Sequence, residues 1–343
     1  MATTTSVLAP SPSRNTALRT FGKDVSRMSS LHNTPLPTGL TGDDRLAPAA
    51  QIAFTEGPAA SADGTVYFSD IANNRILAFD EKAGTYRVWR EPSGRANGLL
   101  FDPNGKLLAC EGNEFGPSDG NRRVTRFDVA TGEFEVLCDR YDGKRLNSPN
   151  DVACTTTGHI FFTDPCYGDR GTMELDHDSV FHVDPDGNVR IAVSQPDIQR
   201  PNGIHLSPDE RTLYLVDSCH DVGGNRKIWA FSLSDSGELS DQRMVFDFAP
   251  GRGGDGMAVD QEGRLYIAAG ISRPRGPHES TDVPPGIYLV TPSGRLEGRI
   301  PVAEDVLTNV TFGGPDLRTL YVTAGKTLWS VRLKTPGFVV HRK

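Results

Sequence analysis

TEGPAASADGTVYFSD (55–70), PNDVACTTTGHIFFTD (149–164), PNGIHLSPDERTLYLVD (201–217) and GDGMAVDQEGRLYIAA (254–269) can be laid over one another, and ANGLLFDPNGKLLACE (96–111) and TNVTFGGPDLRTLYVTA (308–324) complete a set of six. In each, an acidic or amide residue stands 14 or 15 positions before the end of a β-rich run: Glu56 with Asp70, Asn97 with Glu111, Asn150 with Asp164, Asn202 with Asp217, Asp255 with Ala269 and Asn309 with Ala324. The runs end at intervals of 41, 53, 53, 52 and 55 residues. A strand-borne repeat of this length builds a radial array of small sheets, because one unit cannot bury its own apolar faces and stacked neighbours can. The expected fold class is all-β: a six-bladed β-propeller of four-stranded antiparallel blades around a central channel. A sandwich or jelly roll would need no repeat.

Within the second unit the four strands read as GLLF (98–101), KLLAC (106–110), RVTRF (within 122–127) and FEVLC (134–138), separated by Asp-, Asn-, Gly- and Pro-containing turns. Strand text such as TVYFSD and HIFFTD is β-branched and aromatic, as a half-buried pleated surface favours. A ring with an open edge would invite aggregation, so a segment outside the repeat has to complete the last blade. QIAF (51–54) and GFVVH (337–341) are the two candidates. The chain therefore reads as one propeller domain, 46–343, after an N-terminal extension, 1–45, rich in Ser, Thr, Ala and Pro and without an acidic residue before Asp24. That extension reads as disordered or loosely packed, an organellar transit peptide being the lesser alternative.

Composition removes several function classes. A net charge of −8 and a pI near 5.5 argue against a phosphate-backbone ligand, so nucleic acid is not an expected partner. No run of 18 apolar residues is present to span a membrane, and no compact apolar leader directs secretion. The expected compartment is the cytoplasm, where Cys110, Cys138, Cys154, Cys166 and Cys219 serve as small buried apolar residues. Cys166 and Cys219 each fall two positions after an aligned Asp, which would let them approach; a disulfide between them is the lesser reading. GRGGDG (251–256) satisfies a dinucleotide-loop pattern but precedes strand text rather than a helix. No GxSxG and no HExxH is found, and the Asn309 sequon would put a glycan inside the channel.

In a propeller every equivalent position faces the same axis. Glu56, Asn97, Asn150, Asn202, Asp255 and Asn309 should therefore line one mouth of the channel. Asn or Asp before Gly commonly builds a turn and nothing more, but Glu56 is a poor turn former and six coincident positions are not a turn statistic. Two carboxylates with several amide oxygens form a hard-oxygen set that suits a divalent cation: calcium first, with magnesium or manganese as substitutes. Zinc is a poorer substitute, since no His or Cys shares the aligned positions. Without a cation, two buried carboxylates would repel and one would take up a proton.

TEGP, SPND, PNG and GDGM, in that order on consecutive units, resemble the signature of the gluconolactonase, senescence-marker-protein and luciferin-regenerating-enzyme family of six-bladed propellers, which is similar to squid-type diisopropylfluorophosphatase. The resemblance runs over residues 50 to 335 and implies a calcium-dependent lactonase. It implies Glu56, Asn202 and Asp255 as metal ligands, with Asn150 a fourth ligand or a holder of water and substrate. Asn97 and Asn309 are then substrate-contacting or supporting residues. Asp255 would accept the proton of the attacking water, with direct nucleophilic attack by its carboxylate the open alternative. Tyr167, His220 and Arg252 fall in loops expected at the same mouth and would orient a polar substrate. TDPCYG (163–168) also resembles the bacterial and fungal lactonase branch, from which the inserted stretch 114–120 departs. The expected partner is a small lactone. A phosphotriester or fluorophosphate hydrolase on the same metal, or a non-catalytic propeller platform, are the competing functions.

Overall fold

The computed structural model of the protein describes residues 37–40, 47–115, 120–276 and 279–342. Six four-stranded antiparallel sheets form the ring, joined by a two-stranded ribbon, Arg140–Tyr141 with Lys144–Arg145, that the repeat does not announce. The innermost strands are Thr55–Ala60, Ala96–Phe101, Val152–Cys154, Pro201–Leu206, Gly254–Val259 and Leu307–Gly313, one for each of blades one to six. Blade two comprises Ala96–Phe101, Leu107–Glu111, Arg123–Phe127 and Phe134–Cys138, within two residues of the expected strands at each end.

Alternation along each strand explains why one blade needs two neighbours. In Thr65–Asp70, Val66 and Phe68 pack with Tyr321 and Leu328 of blade six, whereas Tyr67 points the other way onto Leu99 and Phe101 of blade two. Each of the remaining blade-to-blade seams likewise holds one apolar cluster, so the core is a ring of six wedges and the axis is left to polar groups. Cys110, Cys138 and Cys154 belong to one of these wedges. All five cysteines are buried free thiols, Cys166 and Cys219 included, so the disulfide reading does not hold.

Ring closure uses the N-terminal side of the domain. Ala47–Gln51 pairs antiparallel with Thr327–Arg332 as the outer strand of blade six, in the register Ala47 with Ser330 and Gln51 with Thr327. The closing strand thus ends where QIAF was expected to begin, and the rival GFVVH forms no blade strand. Gly337 instead bridges to Asp260, and Val340–Arg342 is a single 3-10 turn across the far end of the channel. Of the extension 1–45 only residues 37–40 are described; Leu40 is buried in the wedge between blades five and six, and its carbonyl accepts from Lys334 N at 2.7 Å. The transit-peptide reading rests on residues outside those described. Among the described residues no helix is long and apolar enough to cross a membrane.

Candidate functional site

The aligned oxygen-bearing residues reach the axis through a fault in strand pairing. Next to Glu56 the ladder skips from Glu56–Ser69 to Ala59–Tyr67, and the same break follows Ala96, Pro201 and Gly254. Such bulges turn a side chain out of the alternating pattern, here into the channel mouth. Glycine after the bulged residue is a packing requirement rather than turn chemistry. Gly57 has φ of 44°, and a Cβ there would overlap the Asn97 carbonyl of the next blade; at Gly256 it would overlap the Asn309 amide. Blade three carries Asp151 at the equivalent position, so this blade sends an additional carboxylate into the channel.

One cavity of about 360 Å³ at this mouth is lined by Glu56, Asn150, Asn202 and Asp255, together with Tyr167, His220 and Arg252. Asn97 and Asn309 are not part of its wall. Asn309 turns deeper into the channel, where Nδ2 donates to Asp151 at 3.2 Å and the residue lines a second, small cavity that Phe338, Val339 and Val340 also line. Asn97 is buried between blades one and two, its main-chain carbonyl accepting from Ser69 Oγ at 2.6 Å. Equivalent positions of the repeat therefore differ in their surroundings.

Five cavity residues lie outside the expected set: Phe54, Glu114, Arg275, Gly276 and Glu279. Glu114, Tyr167, His220, Arg275 and Glu279 all lie on loops joining the second strand of a blade to its third. In an antiparallel blade that loop opens at the end where the inner strand begins, so its unusual length in blades two, three, four and five was the available signal. Of the inserted stretch 114–120, residues 116–119 lie outside those described; Glu114 enters the cavity, and Phe115 packs on Phe54 at 4.8 Å between ring centroids.

Burial and mutual repulsion dominate the electrostatics. Desolvation and the facing Asp255 push the Glu56 carboxyl well above the usual carboxylate range, against a single bond from Gly57 N at 2.9 Å. Burial raises Asp255 to about 6, with Arg252 and a hydrogen bond from Asn202 pulling the other way. Glu114 is raised to about 7 by desolvation and by Asp255. Burial lowers His220 to about 3, helped by four surrounding arginines, so it is a neutral hydrogen-bonding ring at physiological pH. Tyr167 donates its hydroxyl proton to Ser218 O at 3.2 Å and accepts from Asn202 Nδ2 at 3.0 Å, which leaves the Asn202 amide oxygen for a ligand.

The profile of the SMP-30/Gluconolactonase/LRE-like region matches residues 54–326. The chain belongs to this family. A gluconolactonase of Zymomonas mobilis is 31% identical over 316 residues, covering 84% of this chain and 81% of that protein. A crystallised gluconolactonase of Xanthomonas campestris superposes with a TM-score of 0.72 at 33% identity, over 86% of this chain and 91% of the other. A calcium-binding regucalcin of Agrobacterium tumefaciens shares the fold, with a TM-score of 0.67 at 20% identity over 89% and 96% of the two chains. Membership in the SMP-30/Gluconolactonase/LRE-like family agrees with the resemblance carried by TEGP, SPND, PNG and GDGM.

Proposed function

We propose that this chain is a metal-dependent hydrolase that opens a sugar lactone or related small lactone, with Glu56, Asn150, Asn202 and Asp255 holding the cation. What carries the reading is that Glu56 and Asp255, both buried, face one cavity, where Asp255 adds to the rise in the proton affinity of Glu56, in a chain similar to a gluconolactonase over 84% of its length. Such an arrangement is costly unless a cation or a proton neutralises it. The donor chemistry fits calcium: two carboxylates and two amides are hard oxygen ligands. Among the described residues no three His, Cys, Asp or Glu side chains gather as a cage, so a cation here depends on the amide oxygens as much as on the acids.

The chemistry a bound divalent cation supplies is Lewis acidity toward a carbonyl oxygen and water. Asp255 accepts the proton of the attacking water. Asn150 orients that water and the substrate, while Tyr167 fixes the rotamer of Asn202 through Nδ2. Arg252, held to Glu279 at 2.7 Å and 3.8 Å from Asp255, keeps the Asp255 carboxyl from rising further.

A panel of sugar lactones, aliphatic lactones and phosphotriesters, assayed after dialysis with and without chelator, tests the reading. Lactone opening lost on chelation and restored by Ca²⁺ is expected. Asp255→Ala should lower turnover by about a thousandfold with the far-ultraviolet dichroism unchanged. Full activity in that variant or in chelated protein would reject the assignment, and turnover of phosphotriesters alone would move the function to phosphorus chemistry.

A further inference from the structure

Glu56, Glu114, Asp255 and Glu279 line the cavity together with Arg252 and Arg275, and the loops of blades four and five bring up a band of cations around His220: Arg252, Arg226, Arg200 and Arg275 are the charges that bear on its ring. The band is continuous in space. Arg200 stacks over the Tyr167 ring at 5.6 Å, Tyr167 lies 5.5 Å from His220, and His220, Arg252 and Arg275 line the cavity together. Among the described residues only two of its four arginines are in ion pairs. Arg200 pairs with Asp221 at 3.3 Å and Asp178 at 3.8 Å, and Arg252 with Glu279 at 2.7 Å and Asp255 at 3.8 Å, but among the described residues no carboxylate pairs with Arg226 or Arg275 within 4.0 Å. Glu279 is already engaged, one oxygen by Arg252 and the other by Arg275 N at 2.6 Å. Arg226 is buried at 6% exposure and its guanidinium donates only to the Asn225 carbonyl.

Neutral hydroxyls do not call for a guanidinium left without an ion pair in the cavity wall, as that of Arg275 is among the described residues, and arginine forks match carboxylate, phosphate and sulfonate oxygens. We propose that the lactone taken by this site carries an anionic substituent remote from its ring carbonyl, received at the rim by Arg252 and Arg275 beside His220. The inference rests on the lactonase reading and narrows its substrate class. Arg226, behind Gly253, adds to the field without touching the substrate.

The test compares one sugar δ-lactone with its 6-carboxylate, 6-phosphate and 6-sulfonate analogues, using the full-length Ca²⁺-loaded protein. At least one anionic form should show a kcat/KM about tenfold or more above the parent, the advantage shrinking as salt is raised. Arg275→Ala should lower the anionic-to-neutral ratio about tenfold, chiefly through KM of the anionic form, and Arg275→Lys should recover part of it. The three arms show which oxyanion is preferred. Equal or better turnover of the neutral parent, or a ratio unmoved by Arg275→Ala, would overturn the proposal while leaving the lactonase reading in place. The salt dependence of the unsubstituted protein decides independently of how the variant folds. Failure to open any of the four lactones would overturn the lactonase reading and the proposal with it.

Discussion

At Glu56 two demands meet in one side chain. A buried carboxylate opposite Asp255 costs the fold stability when no cation is bound, and the Gly57 N–H satisfies only one of its oxygens. Glu56→Gln keeps that hydrogen bond and the side-chain shape while removing the charge. The chelated variant should be more stable than the parent at pH 8, by about 1 kcal/mol in denaturant titration, yet should lose the Ca²⁺-induced stabilisation and lactone turnover. A chelated variant less stable than the parent would show that Glu56 is held by interactions other than those described. Glu56 was legible in the sequence because Glu before Gly-Pro is poor turn text, and Asn150, Asn202 and Asp255 because they share its place in the repeat. Glu114, Arg275 and Glu279 were not, since they sit on loops outside the repeat, and only chain folding decides which loop residues turn inward. Asn97 and Asn309 share the alignment but not the cavity, because a period records position around the axis and not height along it.

Among the strands, in blades one to four the second residue of each aligned pair is an acid, Asp70, Glu111, Asp164 or Asp217, buried at or next to the end of the second strand. Asp217 accepts from Arg200 N at 2.7 Å, Asn225 Nδ2 at 2.8 Å and Trp229 Nε1 at 3.1 Å, and Asp164 accepts from Asn147 N and Ser148 N at 2.7 and 2.8 Å. The loops through Arg200 and Ser148 lead straight to a cavity residue, Asn202 and Asn150 respectively. Asp217→Ala leaves those donors without an acceptor in a fully buried place and should destabilise the protein by about 3 kcal/mol, measured by chemical denaturation. A loss below about 1 kcal/mol would mean water replaces the carboxylate. Strand boundaries in blade two were readable to within two residues because aromatic and β-branched runs end at Gly- and Pro-bearing turns. The bulges that aim the site were not, since nothing in the local text distinguishes a skipped ladder pair from a regular one.

For the whole ring, closure by Ala47–Gln51 makes the first described strand a neighbour of the last. Deleting residues 1–51 should expose the edge of Thr327–Arg332, lower the unfolding midpoint and bring on concentration-dependent aggregation seen by light scattering; an unchanged midpoint and a monodisperse product would show that six wedges hold without the clasp. The buried acids also set how the molecule responds to pH. Desolvation raises Asp151 and Asp164 to about 7 in the folded chain, far above their unfolded values. Groups raised in this way stabilise the fold fully below the unfolded pKa and lose that contribution as pH climbs through the folded value. His182, His220 and His341, lowered to about 4, 3 and 4 by burial, act in the opposite sense, offsetting part of this loss near pH 6.5 and fading above the ordinary histidine range. Asp316, held at about 2 by Arg332, matters only in strong acid. Between pH 6.5 and 8 the raised carboxyls are left to dominate, so chelated protein should lose on the order of 1 kcal/mol of unfolding free energy across that interval. Denaturant midpoints measured at the two ends check it, and a midpoint rising toward pH 8 would show that Asp151 and Asp164 are already ionised in the native ring.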